Sequence, residues 1–174
     1  MKKILYIDMD NTLVDFSART DGIDPGVLAQ YQDRYDEIPG MFALMPPVEG
    51  AIAAYRELAD LFDTYILSTA PWGNPSAWEN KLDWVKLHLG IDKGNLAYKR
   101  LILSHHKNLN RGDFLVDDRP HHNGVCEFEG EIIWFGSAGT SPAPMPDGHV
   151  CERTDGITPA KNWPAVVTHL SQHA

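Results

Sequence analysis

The sequence predicts an α/β fold, with a mostly parallel sheet, helices on both faces and a small helical insertion after the first strand. Short unbroken apolar runs rich in strand formers recur along the chain, segments of helical hydrophobic period lie between them, and several runs end in acidic or hydroxyl residues. Continuous apolarity without alternation suits a strand covered on both faces. Alternation of such strands with helices implies a parallel sheet.

The first strand is expected at Ile4-Leu5-Tyr6-Ile7, stopping at Asp8. Residues 16–46 then break the strand–helix rhythm, because they separate this strand from the next helix by more than a short loop needs. They contain a helix of their own, capped at Asp24-Pro25 with Val27, Leu28, Tyr31 and Tyr35 on one face. This segment is expected to be a small helical cap, with residues 1–15 and 47–174 forming the core domain. Asp33, Arg34, Asp36 and Glu37 make a mixed-charge run, expected to be a solvated helix face.

Val48, Ile52, Tyr55 and Leu58 mark the first crossover helix, and Thr64-Tyr65-Ile66-Leu67 the next strand, leading into Ser68-Thr69. Trp78, Leu82, Val85 and Leu89 form the apolar stripe of a second helix that begins after Asn74-Pro75 and stops at Gly90. Lys81 falls opposite that stripe. Leu101-Ile102-Leu103, Phe114-Leu115-Val116 and Ile132-Ile133-Trp134-Phe135 are further strands, the second opening into Asp117-Asp118 and the third into Gly136-Ser137. Residues 136–161, rich in Gly, Pro and Ser, read as an irregular surface loop. Trp163, Val166, Val167 and Leu170 make a last amphipathic helix.

A chain of 174 residues with 43% apolar composition can bury a genuine core as one domain with a small insertion. Its net charge of −9 disfavours a nucleic-acid polymer as partner, since contact along such a backbone needs basic surface. A single mononucleotide, neutralised locally, stays compatible. No apolar run approaches membrane-spanning length and the N-terminus lacks a secretory pattern, so a cytoplasmic location is expected. Cys126 and Cys151 suggest no zinc site and are expected to be reduced. His105-His106 and His121-His122 are expected to be loop histidines.

Ligands of parallel α/β sheets bind beyond the carboxyl ends of the strands. The polar residues there are Asp8, Asp10, Thr69, Asp117 and Asp118, and paired carboxylates on two strands suggest a hard cation held by oxygen. Two residues apart at a strand end, Asp8 and Asp10 can face one crevice, one attacking phosphorus while the other moves a proton. Attack by an anion on a phosphate requires charge masking, for which a divalent ion and Lys107 are suited.

Asp8-Met9-Asp10-Asn11-Thr12-Leu13, Ser68-Thr69, Lys107 and Asp117-Asp118 resemble, in order, the four motifs of phosphatases of the haloacid-dehalogenase (HAD) superfamily. Within it the chain is similar to the 5′(3′)-deoxyribonucleotidases. The matching segments are Val14-Asp15-Phe16, Pro39-Gly40-Met41-Phe42, Ser68-Thr69-Ala70-Pro71, Lys81 before Trp84-Val85, and Leu115-Val116-Asp117-Asp118-Arg119-Pro120. The resemblance implies a HAD-like, Rossmann-like core and hydrolysis of a nucleoside 5′- or 3′-monophosphate through an aspartyl phosphate.

It assigns Asp8 as nucleophile and Asp10 as general acid and base. Mg²⁺ would be held by Asp8, the Asp10 carbonyl and Asp118, with Asp117 supporting that shell. Thr69, Lys107 and Lys81 would bind phosphoryl oxygens, and Phe16 and Phe42 the base. Asn11 stands where these enzymes commonly have glycine, and Ala70 where the animal enzymes have a phosphate-binding serine. Base and sugar preference and oligomeric state, a dimer included, stay open. So do a sugar phosphate or other small metabolite as substrate, and a non-catalytic phospho-ligand binding protein.

Overall fold

The computed structural model describes residues 1–43, 45–137, 153 and 155–174. Among these the strands are β1 (Ile4–Ile7), β2 (Asp63–Ser68), β3 (Leu101–Leu103), β4 (Phe114–Asp117), β5 (Glu131–Phe135) and β6 (Ile157–Ala160). The α-helices are α1 (Pro25–Gln30), α2 (Ala51–Leu61), α3 (Pro75–Leu89) and α4 (Trp163–Ser171). All strand pairs are parallel, in the order β3-β2-β1-β4-β5-β6. The order reverses direction between β1 and β4, so a crevice opens at their carboxyl ends.

The register explains what fills each side. Leu5, Ile7, Ile66, Val116 and Ile133 belong to the larger core cluster with residues of α2, α3 and α4. Their strand neighbours Tyr6, Leu67, Leu115 and Ile132 join the smaller one with Phe128 and Val125 of the 3-10 helix Val125–Glu127. Alternate strand residues point to opposite faces, so both sides of an apolar run are used.

Several expectations shift. Residues 136–161 were expected to form a loop, yet β6 closes the sheet edge within them. Pro159 is tolerated because an edge strand can turn the missing N–H outward; residues 138–152 and 154 of that loop lie outside the described residues. The buried side of α3 is Ala77, Lys81, Trp84, Val85 and Leu89, while Trp78 and Leu82 are exposed. Its face is thus rotated from the expected stripe, and Lys81 is inside. Cys126 is disulfide-bonded rather than reduced; Cys151 lies outside the described residues.

Between β1 and α2 the chain runs through α1 and three 3-10 helices, Phe16–Thr20, Tyr35–Glu37 and Met41–Ala43. The Asp24 carboxylate caps α1 by accepting from the Gly26 N–H at 2.8 Å, with proline in the first turn. Tyr35 is not on α1, which ends at Gln30, and the charged run sits around a short turn joined by an exposed Arg34–Glu37 ion pair. Asn74 heads α3, but its side chain makes no cap bond. Its amide donates to the carbonyls of Asp36 and Ile38 at 2.8 and 3.0 Å, fastening the inserted segment to α3.

Candidate active site

The residues beyond β1 turn sharply. The amides of Thr12, Leu13 and Val14 all donate to the Met9 carbonyl, at 3.1, 2.8 and 2.8 Å. This coil holds Asp8 and Asp10 at the mouth of the crevice. Within it Asn11 has φ 57°, a left-handed conformation that glycine adopts freely and asparagine tolerates best among other residues. The Asn11 amide then does what glycine cannot: it donates to Asp118 Oδ2 at 3.0 Å.

The strand register brings Asp8 beside the acidic end of β4, and the Asp8 N–H donates to the Val116 carbonyl at 2.9 Å. One carboxylate oxygen from each of Asp8, Asp117 and Asp118 lies within 4.8 Å of the others. Lys107 is buried among them, its Nζ 2.9 Å from Asp8 Oδ1 and 2.5 Å from Asp117 Oδ2. Burial alone would lower the Lys107 pKa, but Asp117 and Asp8 more than offset it and the ammonium is held firmly protonated. Burial pushes Asp117 up to about 6 against the pull of Lys107, and the Arg119 N–H donates to its other oxygen at 2.9 Å. At neutral pH Asp117 is therefore an anion clamped in place.

Asp118 is the least compensated member. Burial first, then Asp8 and Asp117, push it up to about 7. Its Oδ1 is buried and accepts no hydrogen bond, with the Arg119 guanidinium Nε 3.8 Å away. An orphaned carboxylate oxygen among two other carboxylates fits a hard divalent cation, which takes oxygen ligands and offsets their repulsion.

Asp10 has its own cation. Lys81, 1% exposed, donates to Asp10 Oδ1 at 2.7 Å and to the Ser68 hydroxyl at 3.1 Å. Burial and Asp8 raise the Asp10 carboxyl against the lowering effect of Lys81. The two lysines thus divide the acids, Lys81 with Asp10 and Lys107 with Asp8 and Asp117. A cavity of about 270 Å³ opens beside them, lined by Asp10, Asn11, Phe16, Asp36, Phe42, Thr69, Pro71 and Arg119.

The structure therefore gathers Asp8, Asp10, Asp117, Asp118, Lys81 and Lys107, and sets Thr69, Phe16 and Phe42 on the adjoining wall. The Thr69 hydroxyl donates to the Ser104 carbonyl at 3.0 Å. The Phe16 and Phe42 rings are 5.7 Å apart, and Lys81 Nζ stands 4.8 Å over the Phe42 ring, which is itself largely core. Asn11, Ser68, Asp36 and Arg119 were not among the expected site residues. Asn11 and Arg119 could have been suspected, since each adjoins an acid of the site.

Comparison with known proteins decides the family. Residues 27–142 match the family model described as 5′ nucleotidase, deoxy (pyrimidine), cytosolic type C protein. The chain belongs to that family. A candidate 5′(3′)-deoxyribonucleotidase of Vibrio phage KVP40 is 57% identical over 136 residues, 78% of this chain and 77% of the phage protein. The human cytosolic-type 5′(3′)-deoxyribonucleotidase is 36% identical over 93 residues, 52% of this chain and 44% of its own length. In fold, the chain superposes on the magnesium-bound structure of the candidate HAD-hydrolase YfnB of Bacillus subtilis. The TM-score is 0.60 at 11% identity, over 97% of this chain and 98% of the other. The expected HAD-like α/β core is thereby met.

Proposed function

We propose that this family member is a phosphoric monoester hydrolase acting on nucleoside monophosphates, deoxyribonucleotides foremost, with Mg²⁺ as cofactor. The observation that carries the reading is the meeting of Asp8 with Lys107, Asp117 and Asp118 at the reversal of strand order, beside the aromatic-walled cavity.

Residues 16–46 act as the cap, bringing Phe16, Asp36 and Phe42 over the acids. The Thr69 hydroxyl, Lys81 and Lys107 orient the phosphoryl group. The Asp8 carboxylate attacks phosphorus in line, forming a P–O bond as the ester P–O bond breaks, and Asp10 delivers its proton to the departing nucleoside oxygen. Asp10, now anionic and steadied by Lys81, takes a proton from water. That water attacks phosphorus of the acyl phosphate, inorganic phosphate departs and the Asp8 carboxylate is restored. Asp8, the Asp10 carbonyl and Asp118 would hold Mg²⁺, which when bound masks the negative charge gathering on phosphate and nucleophile. Asp117, already engaged by Lys107 and the Arg119 N–H, braces that arrangement.

Among the described residues no helix is long and apolar enough to cross a membrane. A cytoplasmic location belongs to the same reading. The test is phosphate release from deoxynucleoside, nucleoside and sugar monophosphates, with and without Mg²⁺. The reading expects Mg²⁺-dependent release with kcat/KM highest for nucleotides. Sugar phosphates ahead by orders of magnitude would contradict the substrate, and tight binding without turnover would contradict the enzyme.

A further inference from the structure

At the opposite end of the sheet from the acids, where the strands begin, a second group of metal-ligating side chains comes together. Glu131 opens β5, while His169 and His173 lie four residues apart at the end of α4. The helical turn continues far enough to align them, since the His173 N–H donates to the Leu170 carbonyl at 2.9 Å. One ligand atom from each of the three residues lies within 4.8 Å of the others, and all three are half-buried. We propose that Glu131, His169 and His173 bind a transition-metal cation of the zinc class.

Two imidazoles and a carboxylate suit Zn²⁺, Ni²⁺ or Co²⁺ rather than Mg²⁺, which prefers oxygen alone. Bonds of about 2.1 Å in a tetrahedral site set ligand atoms about 3.4 Å apart, so side-chain shifts within the present spacing complete the site. The ligands are already oriented. Glu131 Oε1 accepts from the Thr158 hydroxyl at 2.5 Å and faces His169 Nε2 at 2.8 Å. The His173 ring packs on Phe114 at 5.7 Å and lies 4.9 Å from the His169 ring. Partners that fix a metal ligand in this way raise affinity by limiting what must be ordered on binding. The carbonyl end of α4 adds negative potential. The Lys3 ammonium donates to the His173 carbonyl at 2.6 Å, tying the chain just after α4 to the start of β1.

Such an ion would join the end of α4 to the start of β5, and the consequence is stability rather than turnover. The test uses Asp8→Asn/Asp118→Asn protein, whose phosphatase site is disabled, titrated with ZnCl₂. One equivalent is expected to bind, with a Tm rise of roughly 5–10 °C at a hundredfold excess over Kd. His173→Gln in that background should lose both effects, and His173→Gln alone should keep Mg²⁺-dependent phosphatase activity. X-ray absorption of the zinc-loaded protein should show two imidazoles. No zinc uptake by the disabled protein, undiminished uptake after His173→Gln, or a shell without imidazole would each overturn the site. None of these outcomes depends on which phosphoester the enzyme cleaves.

Discussion

Lys107 and Asp118 respond to substitution in opposite ways, because one supplies charge compensation and the other lacks it. Lys107→Met would leave Asp8 and Asp117 buried without their shared cation. Removing one partner of a buried ion pair costs about 3–5 kcal/mol, so urea denaturation of the metal-free variant should show a loss of that order along with lost turnover. Asp118 is raised from an ordinary 3.8 to about 7 in the folded chain. A carboxyl shifted upward resists ionisation only when folded, so it draws stability down as pH climbs from about 4 towards 7, and the loss persists above. Asp118→Asn should therefore stabilise the metal-free protein at pH 8, by on the order of 1–3 kcal/mol, and should gain little at pH 4. Activity in Mg²⁺ should vanish. A metal-free variant no more stable than its parent at pH 8 would show that this carboxylate is not strained.

The acids were legible as residues because each ends an apolar strand, where a ligand crevice forms. Asn11 was legible only as a departure from glycine; its left-handed backbone and its bond to Asp118 depend on a coil that spacing alone does not reveal. Lys81 was misread by face. Ala77 and Trp84 set the buried side of α3, and an aliphatic stem can lie in apolar surroundings while its ammonium reaches Asp10.

At the scale of elements, α3 is both wall and anchor. It presents Lys81 to the acids and, through Asn74, grips the carbonyls of Asp36 and Ile38. Asn74→Ala takes the Asn74 donor from the Asp36 carbonyl and leaves the Ile38 carbonyl with only the Met41 N–H at 3.4 Å, a loss of about 1–3 kcal/mol. Because those carbonyls belong to the segment proposed as the cap, KM for a nucleotide should rise more than kcat falls, as steady-state kinetics would show. Phe16→Ala should raise KM for a nucleotide while leaving hydrolysis of p-nitrophenyl phosphate within about threefold, since the proposed aromatic contact is to the base and not to the phosphate. Equal losses on both substrates would assign Phe16 to packing. The 16–46 insertion was recognisable by length and by its Asp24-Pro25 cap, but its three 3-10 turns carry no hydrophobic period from which to read them. β6 was hidden for a related reason: four residues with a proline, in a stretch rich in turn formers, resemble a loop until an edge strand offers them a partner.

Over the whole molecule, sheet order does the assembling. Asp8 and Asp117 are 109 positions apart by number, yet placing β4 beside β1 makes them neighbours. Alternating strands and helices implied the parallel sheet, whereas the position of its reversal emerges only from the pairing of strands. The clustered anions would also couple the proposed Mg²⁺ to stability. Removing Mg²⁺ with a chelator should abolish phosphate release and lower Tm relative to the Mg²⁺-loaded protein, by mass action on the folded state. The central claim is that Asp8 becomes phosphorylated. Acid quenching during turnover of a deoxynucleoside monophosphate, followed by borohydride reduction and peptide mass spectrometry, should convert residue 8 alone to homoserine. A quenched enzyme carrying no acyl phosphate under conditions of rapid turnover, or carrying it on another residue, would contradict the account.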